Sequence, residues 1–188
     1  MRISRPMALA IAAGAILGVS GPAASPAEAA APVDGPPVRL VPQNVPQVPP
    51  GQGQLVVSAE GTVPGSKVTL RPDFGLRSQK WRMRFTSGSV TQIVNDQSGL
   101  CLRGGLNGNV VRLAICADPN DLQPTVVEQR QFWSDRQRVF NGVLVHRFEN
   151  VQNNLVMSVR DGGTAPGTLI ETAPLNGSLS PSQLYRLQ

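Results

Sequence analysis

Apolar and polar residues alternate from Lys80 to Phe85, with Trp81, Met83 and Phe85 at one parity and Lys80, Arg82 and Arg84 at the other. Successive side chains of an extended chain point to opposite faces, so this pattern predicts a half-buried β-strand. Three passages elsewhere each run from a strand, through a turn, to a Leu-x-apolar strand. Residues 38–41 lead to Leu55-Val56-Val57, 91–95 to Leu100-Cys101-Leu102, and 146–150 to Leu155-Val156-Met157. A strand opened by glycine follows in every case, over 65–70, 108–113 and 167–172. Each unit then closes on a Gln-x-aromatic strand: Gln79-Lys80-Trp81, Gln131-Phe132-Trp133 and Gln183-Leu184-Tyr185.

These closing strands carry both tryptophans and the single tyrosine, and the steps from 81 to 133 and from 133 to 185 are both 52 residues. Self-similarity at a fixed period marks units that bury their apolar faces only against copies of themselves. The chain is therefore expected to be all-β, with about twelve strands in three units of four, over roughly 38–86, 87–140 and 141–188. No segment holds a helical period for long, and prolines and glycines are spread throughout. Trp81, Trp133 and Tyr185 should meet in one core, because an aromatic ring contributes a large buried area. Gln79, Gln131 and Gln183 share the parity of their rings, and a buried amide needs partners, so they are expected to bond backbone groups in turns. The proline cluster over 42–50 should loop out of the sheet, since proline cannot donate to a central ladder.

The first residues read differently. Arg2 and Arg5 precede an apolar stretch over 7–19, and Ala27-Glu28-Ala29 fits a small-x-small cleavage rule, so 1–29 is expected to be a secretory signal peptide. The stretch is shorter than the ~20 residues that cross a bilayer, and nothing later is longer, so no transmembrane segment is expected. A form tethered by the uncleaved segment is the alternative. Residues 30–37, small and proline-rich, are expected to be a flexible lead. The protein is thus expected to be secreted and extracellular. Its net charge of +5 permits acidic partners without requiring them. Cys101 and Cys116 would sit in an oxidising compartment, where a bridge is expected; two buried free thiols are the other possibility. Zinc is not expected, because His146 and the methionines are the only other soft ligands.

Three four-strand units ending in Gln-x-aromatic, with a middle unit running from Ser98-Gly99-Leu100-Cys101-Leu102 through Gly108-Asn109-Val110-Val111-Arg112-Leu113-Ala114-Ile115-Cys116, resemble the ricin B-type β-trefoil lectins. The likeness covers 38–188. It implies a β-trefoil of three repeats with pseudo-threefold symmetry, and a disulfide within the middle repeat between Cys101 and Cys116. It also implies sugar pockets in which an aspartate after the Cys-Leu strand accepts bonds from two hydroxyls, an aromatic on the next strand stacks on the ring, and an asparagine precedes the glutamine. The chemistry behind the first two choices is general: carboxylates accept, and a sugar's C–H face needs a flat apolar platform. This sequence departs from that pattern. The aspartate places hold Ser58, Arg103 and Ser158, the platform places Arg71, Ala114 and Ala173, and the asparagine places Ser78, Arg130 and Ser182.

Two candidate sites remain. Arg103, Arg112 and Arg130 in the middle unit, with amides from Asn107 and Asn109, would form a cationic pocket suited to an acidic glycan through bidentate arginine contacts. Isolated arginines that keep a surface soluble are the competing reading. In the third unit, Asp161 with Glu171 is the candidate acceptor pair for a neutral sugar, set against two solvated acids. The basic stripe of Arg77, Lys80, Arg82 and Arg84 lacks interleaved exposed aromatics and any recognition motif, so it is read as a solvated strand face and no nucleic acid is expected. Catalysis is not expected either. His146 has no evident acid or nucleophile beside it, no carboxylate pair has a glycosidase setting, and neither a phosphate loop nor a metal motif calls for a cofactor. The sequence thus predicts a secreted lectin-like protein that binds a glycan or cell-surface polysaccharide. A protein-interaction module, such as an inhibitor or a toxin's receptor-docking subunit, using the 42–50 loop or the 118–129 excursion, is the competing class.

Overall fold

The computed structural model describes residues 33–48, 53–86, 89–121, 124–177 and 180–188. The expected signal peptide over 1–29 lies outside them. The first unit holds β2 (Leu40–Pro42), β3 (Leu55–Ala59), β4 (Val68–Pro72) and β5 (Trp81–Phe85). The second holds β6 (Val90–Asn95), β7 (Cys101–Arg103), β8 (Arg112–Ala114) and β9 (Trp133–Phe140), and the third β10 (Val143–Asn150), β11 (Val156–Val159), β12 (Ile170–Ala173) and β13 (Tyr185–Leu187). The period read from the sequence is therefore the period of the fold. A further strand, β1 (Val33–Asp34), precedes them.

The pairings close a circuit. β2 pairs β13, β13 pairs β10, β10 pairs β9, β9 pairs β6 and β6 pairs β5, all antiparallel. A bridge from Val38 to Trp81 returns β5 to the segment that enters β2. First and last strands of each unit thus make a six-stranded barrel, and the inner pairs β3–β4, β7–β8 and β11–β12 form three hairpins. Each hairpin leans on the next. Gly65 donates its N–H to the Leu113 carbonyl at 2.7 Å, Gly108 to Thr172 at 2.8 Å and Gly167 to Leu70 at 2.7 Å. All three glycines have positive φ, which side chains other than glycine's rarely adopt, so the ring of contacts explains why a glycine opens each of these strands.

Trp81, Trp133 and Tyr185 are fully buried in one hydrophobic cluster with Leu40, Leu70, Ile93, Leu102, Leu113, Phe148, Met157 and Ile170. The indole N–H of Trp81 donates to the Val57 carbonyl at 3.0 Å, and that of Trp133 to Leu102 at 3.1 Å. The Tyr185 hydroxyl, in the third unit, is buried without a hydrogen-bond partner among the described residues. The glutamines act as expected on turns. Gln79 donates to Pro72 and accepts from Phe74, Gln131 donates to Ile115 and accepts from Ala117, and Gln183 donates to Pro174 and accepts from Asn176. Each thereby holds the turn that precedes the short helical turn or helix leading into its aromatic strand. Cys101 and Cys116 are bonded to each other.

Two expectations change. The lead over 30–37 is not wholly unpacked: β1 pairs β5, Gly35 N–H donates to Met83 O, and Asp34 takes Arg84 Nε at 2.7 Å and a second guanidinium nitrogen at 3.2 Å. A bidentate guanidinium on a part-exposed carboxylate fixes a segment whose composition carries no packing signal. The 118–129 excursion also contains a short helix, α1 (Val126–Gln129). Thr125 caps it, accepting from Glu128 N–H at 3.2 Å, while the Glu128 carboxylate accepts from Thr125 N–H at 2.7 Å, the reciprocal capping box that an S/T-x-x-E spelling permits. No helix among the described residues is long and apolar enough to cross a membrane.

Candidate functional site

Each unit leaves a depression beside its inner hairpin. The middle one, of about 590 Å³, is lined by Arg103, Gly104, Gly105, Gly108, Asn109, Val110, Arg112, Val127 and Arg130. β7 ends on Arg103, β8 begins on Arg112, and Arg130 follows α1, so three separate elements bring guanidinium groups to one wall. Arg130 is anchored at 3.4 Å to Gln152 and Arg112 at 2.8 Å to the Gly65 carbonyl, while the Arg103 guanidinium has no hydrogen bond or ion pair among the described residues. Among the described residues no carboxylate lines this depression. Gly104 lies close over the core: a Cβ there would stand 3.0 Å from the Trp133 ring, so the chain passes flat and Arg103 is held at the rim. Asn107, expected to contribute an amide, sits exposed in the turn and is not among the lining residues; only Asn109 is.

The third unit's depression, of about 530 Å³, is lined by Asp161 and Glu171, together with Ser158, Ala173, Ser182 and other residues. Asp161 is exposed, in a left-handed backbone conformation with φ 52°. Glu171 is engaged by Arg160, whose Nε donates to its carboxylate at 2.6 Å while another guanidinium nitrogen bonds the Gly108 carbonyl. Glu171 therefore serves the joint between two hairpins as well as the wall. The first unit supplies what the sequence pattern did not disclose. Phe74, 71% exposed, lines a depression of about 390 Å³ with Glu60, Arg71 and Leu76. Its ring is three positions beyond Arg71, the place where the aligned pattern puts an aromatic, so alignment by position passed over it. Glu60 is bonded by Arg71 and Thr69. Burial alone would raise the Glu60 carboxyl, but those bonds outweigh it and hold the group below its ordinary value.

The three arginines of the basic stripe are committed within the fold. Arg82 and Arg77 both bond Asp96, and Arg84 bonds Asp34. Hydrogen bonds from Arg82, then Arg77, hold Asp96 below the usual carboxylate range. His146 differs from expectation: an acid does face it, with Nδ1 2.8 Å from Asp135 Oδ2, because β9 and β10 pair in register around them. Its other ring contact is a stacking on Phe148 at 6.3 Å. Among the described residues no group of three or more His, Cys, Asp or Glu is placed to hold a metal.

Comparison with known proteins points one way. The family profile described as ricin-type beta-trefoil lectin domain-like matches residues 77–173. No curated protein matches the sequence. Among solved structures, the designed threefold-symmetric protein ThreeFoil superposes with TM-score 0.64 at 17% identity over 80% of this chain and 96% of its own. A mosquitocidal holotoxin gives 0.64 at 20% identity, over 83% of this chain and 17% of that one. The Polyporus squamosus lectin, bound to Neu5Acα2-6Galβ1-4GlcNAc, gives 0.56 at 13% identity over 81% and 48%. The chain thus spans less than half of the last two.

Proposed function

Since the chain belongs to the ricin-type β-trefoil lectin domain-like family, we propose that it is an exported, non-catalytic carbohydrate-binding protein whose middle repeat takes an acidic glycan. The observation that carries this reading is the wall formed by Arg103, Arg112 and Arg130, with no lining carboxylate among the described residues. Where a galactose-type pocket has an acceptor for hydroxyls, Arg103 is a donor with fixed fork geometry, matched to a carboxylate or sulfate rather than to a neutral ring. The third repeat, with Asp161 and Glu171, offers acceptors for neutral hydroxyls as a secondary position. Export is supported by the Cys101–Cys116 disulfide, which persists in an oxidising compartment.

A protein-docking role is the second reading, favoured by Val126 and Val127, 54% and 49% exposed on α1 beside the same depression. A glycan array separates the two. Retention is expected on sialylated, uronylated or sulfated glycans over neutral ones, with release by the free saccharide. The Arg103→Asp variant should bind those ligands about ten- to hundredfold more weakly, as expected for losing a charged hydrogen-bonding partner. Equal signals on charged and neutral glycans, or none on any, would sink the acidic-glycan reading; capture of one protein in their place would support docking.

A further inference from the structure

The hairpin β9–β10 runs past the barrel rim. Among the described residues β6 pairs β9 at Val90↔Ser134 and Thr91↔Trp133, with Asp135 N–H donating to Ser89 O just beyond, and β13 meets β10 at His146↔Tyr185. Beyond those rungs the two strands continue to pair with each other up to Phe140↔Val143. Asn141 and Gly142 close the ribbon with φ of 50° and 77°, the twist of a two-residue hairpin turn. Val139, Val143 and Leu144 are 68%, 40% and 53% exposed.

Register sorts these side chains. Val139 lies opposite Leu144 and Phe140 opposite Val143, so one rung is apolar on one face of the ribbon and the next on the other. A ribbon that docked one face on a partner protein would need a single apolar face. Here both are apolar at the same end. One rung back stands Arg138, exposed, its guanidinium bonded only to the neighbouring Gln137 carbonyl among the described residues. No aspartate or glutamate occurs from Arg136 to His146.

We propose that this tip is a membrane-surface anchor, seating Val139, Phe140, Val143 and Leu144 in the interface of an anionic lipid bilayer with Arg138 at the level of the phosphates. A fluid interface surrounds a tip on both faces, as a flat protein surface does not. Two residue steps of about 3.4 Å carry the apolar rungs roughly 7 Å past Arg138, which matches the ~5–10 Å to which interfacial segments bury. The turn peptides at the end keep their polar groups, so the seat is the headgroup boundary and not the hydrocarbon centre. The charge at Arg138, with no acid between Arg136 and His146 to offset it, selects anionic headgroups. This anchor is independent of the glycan pocket and would hold the protein at a surface on which that pocket finds its ligand.

Flotation of the full chain tests it, with vesicles of equal parts phosphatidylcholine and phosphatidylserine beside vesicles of phosphatidylcholine alone, neither carrying a glycan. The protein is expected to float with the anionic vesicles. Binding should fall about fivefold in Arg138→Gln, as for one basic group at a charged leaflet, and at least about tenfold in the double variant Val139→Asp, Leu144→Asp. The variant Val139→Ser, Leu144→Ser, which adds no charge, keeps the test open where the aspartates disturb folding, and near-ultraviolet circular dichroism reports the core in each. Flotation of either double variant at the wild-type level, or no flotation of the wild type, overturns the anchor. Loss of a protein ligand through the same variants without vesicle binding would reassign the tip to a protein socket.

Discussion

At the scale of single residues, the three units differ where their aromatic strands begin. Trp81 and Trp133 each send an indole N–H to a hairpin carbonyl, whereas Tyr185 buries a hydroxyl that bonds nothing among the described residues and whose ionisation burial pushes far above its ordinary value. An unpaired buried donor carries its desolvation cost without return. Tyr185→Phe is therefore expected to leave stability within about 1 kcal/mol of wild type or raise it, read from the urea midpoint. The glutamines behave oppositely. Gln79→Leu strips the Pro72 carbonyl and the Phe74 and Leu76 N–H groups of their partner, and should cost about 3 kcal/mol in the same measurement. A Gln79→Leu protein as stable as wild type would show that these turn bonds contribute little.

At the scale of elements, the strands and the repeat were legible because period-two alternation and glycine-opened turns are local signals that the pairing merely completes. The disulfide was legible too, since only two cysteines exist. Its loop has a sequence separation of 15, and the Cys101→Ala, Cys116→Ala pair should lose about 3 kcal/mol of stability by denaturant titration. Elements set by long-range contacts were not legible. β1 rests on its pairing with β5 and on Arg84 meeting Asp34 across 50 positions, and Phe74 reaches its depression from a loop rather than from the strand that carries Arg71. The candidate pocket was half legible: Arg103, Arg112 and Arg130 stood at aligned positions, but the side of α1 that adds Val127 did not. That helix has one turn and rests on its cap. Thr125→Ala should speed amide exchange at Glu128 and Gln129 and weaken acidic-glycan binding only a few-fold, a smaller loss than Arg103→Asp. Unchanged exchange would mean that packing, not the capping box, holds α1.

At the scale of the whole molecule, the barrel's seams are laced by arginine–carboxylate pairs, and that distribution sets how the fold responds to acid. Arg84–Asp34 ties β1 to β5, Arg82 and Arg77 hold Asp96 just beyond β6, and Arg136 with Arg147 grips Glu149 between β9 and β10. The Arg84 bond lowers the Asp34 carboxyl, the Arg82 and Arg77 bonds lower Asp96, and Glu149, which burial alone would raise, is brought below its ordinary value by Arg136 and Arg147. A carboxyl depressed in the native state binds protons more readily once unfolded, so its contribution is complete above the unfolded values of 3.8 for Asp and 4.5 for Glu. It disappears as pH falls through the lowered native ones. The melting temperature should accordingly be nearly level from about pH 6 down to about pH 5 and fall steeply below about pH 4. Because Asp96 is shared by two arginines and its side chain is only 8% exposed, Asp96→Asn should flatten that acid limb more than Asp34→Asn, whose partner pair sits at an exposed edge. Melting curves of the two variants and the wild type across this range decide it: equal acid limbs in all three would mean that the stability lost in acid resides outside these seams.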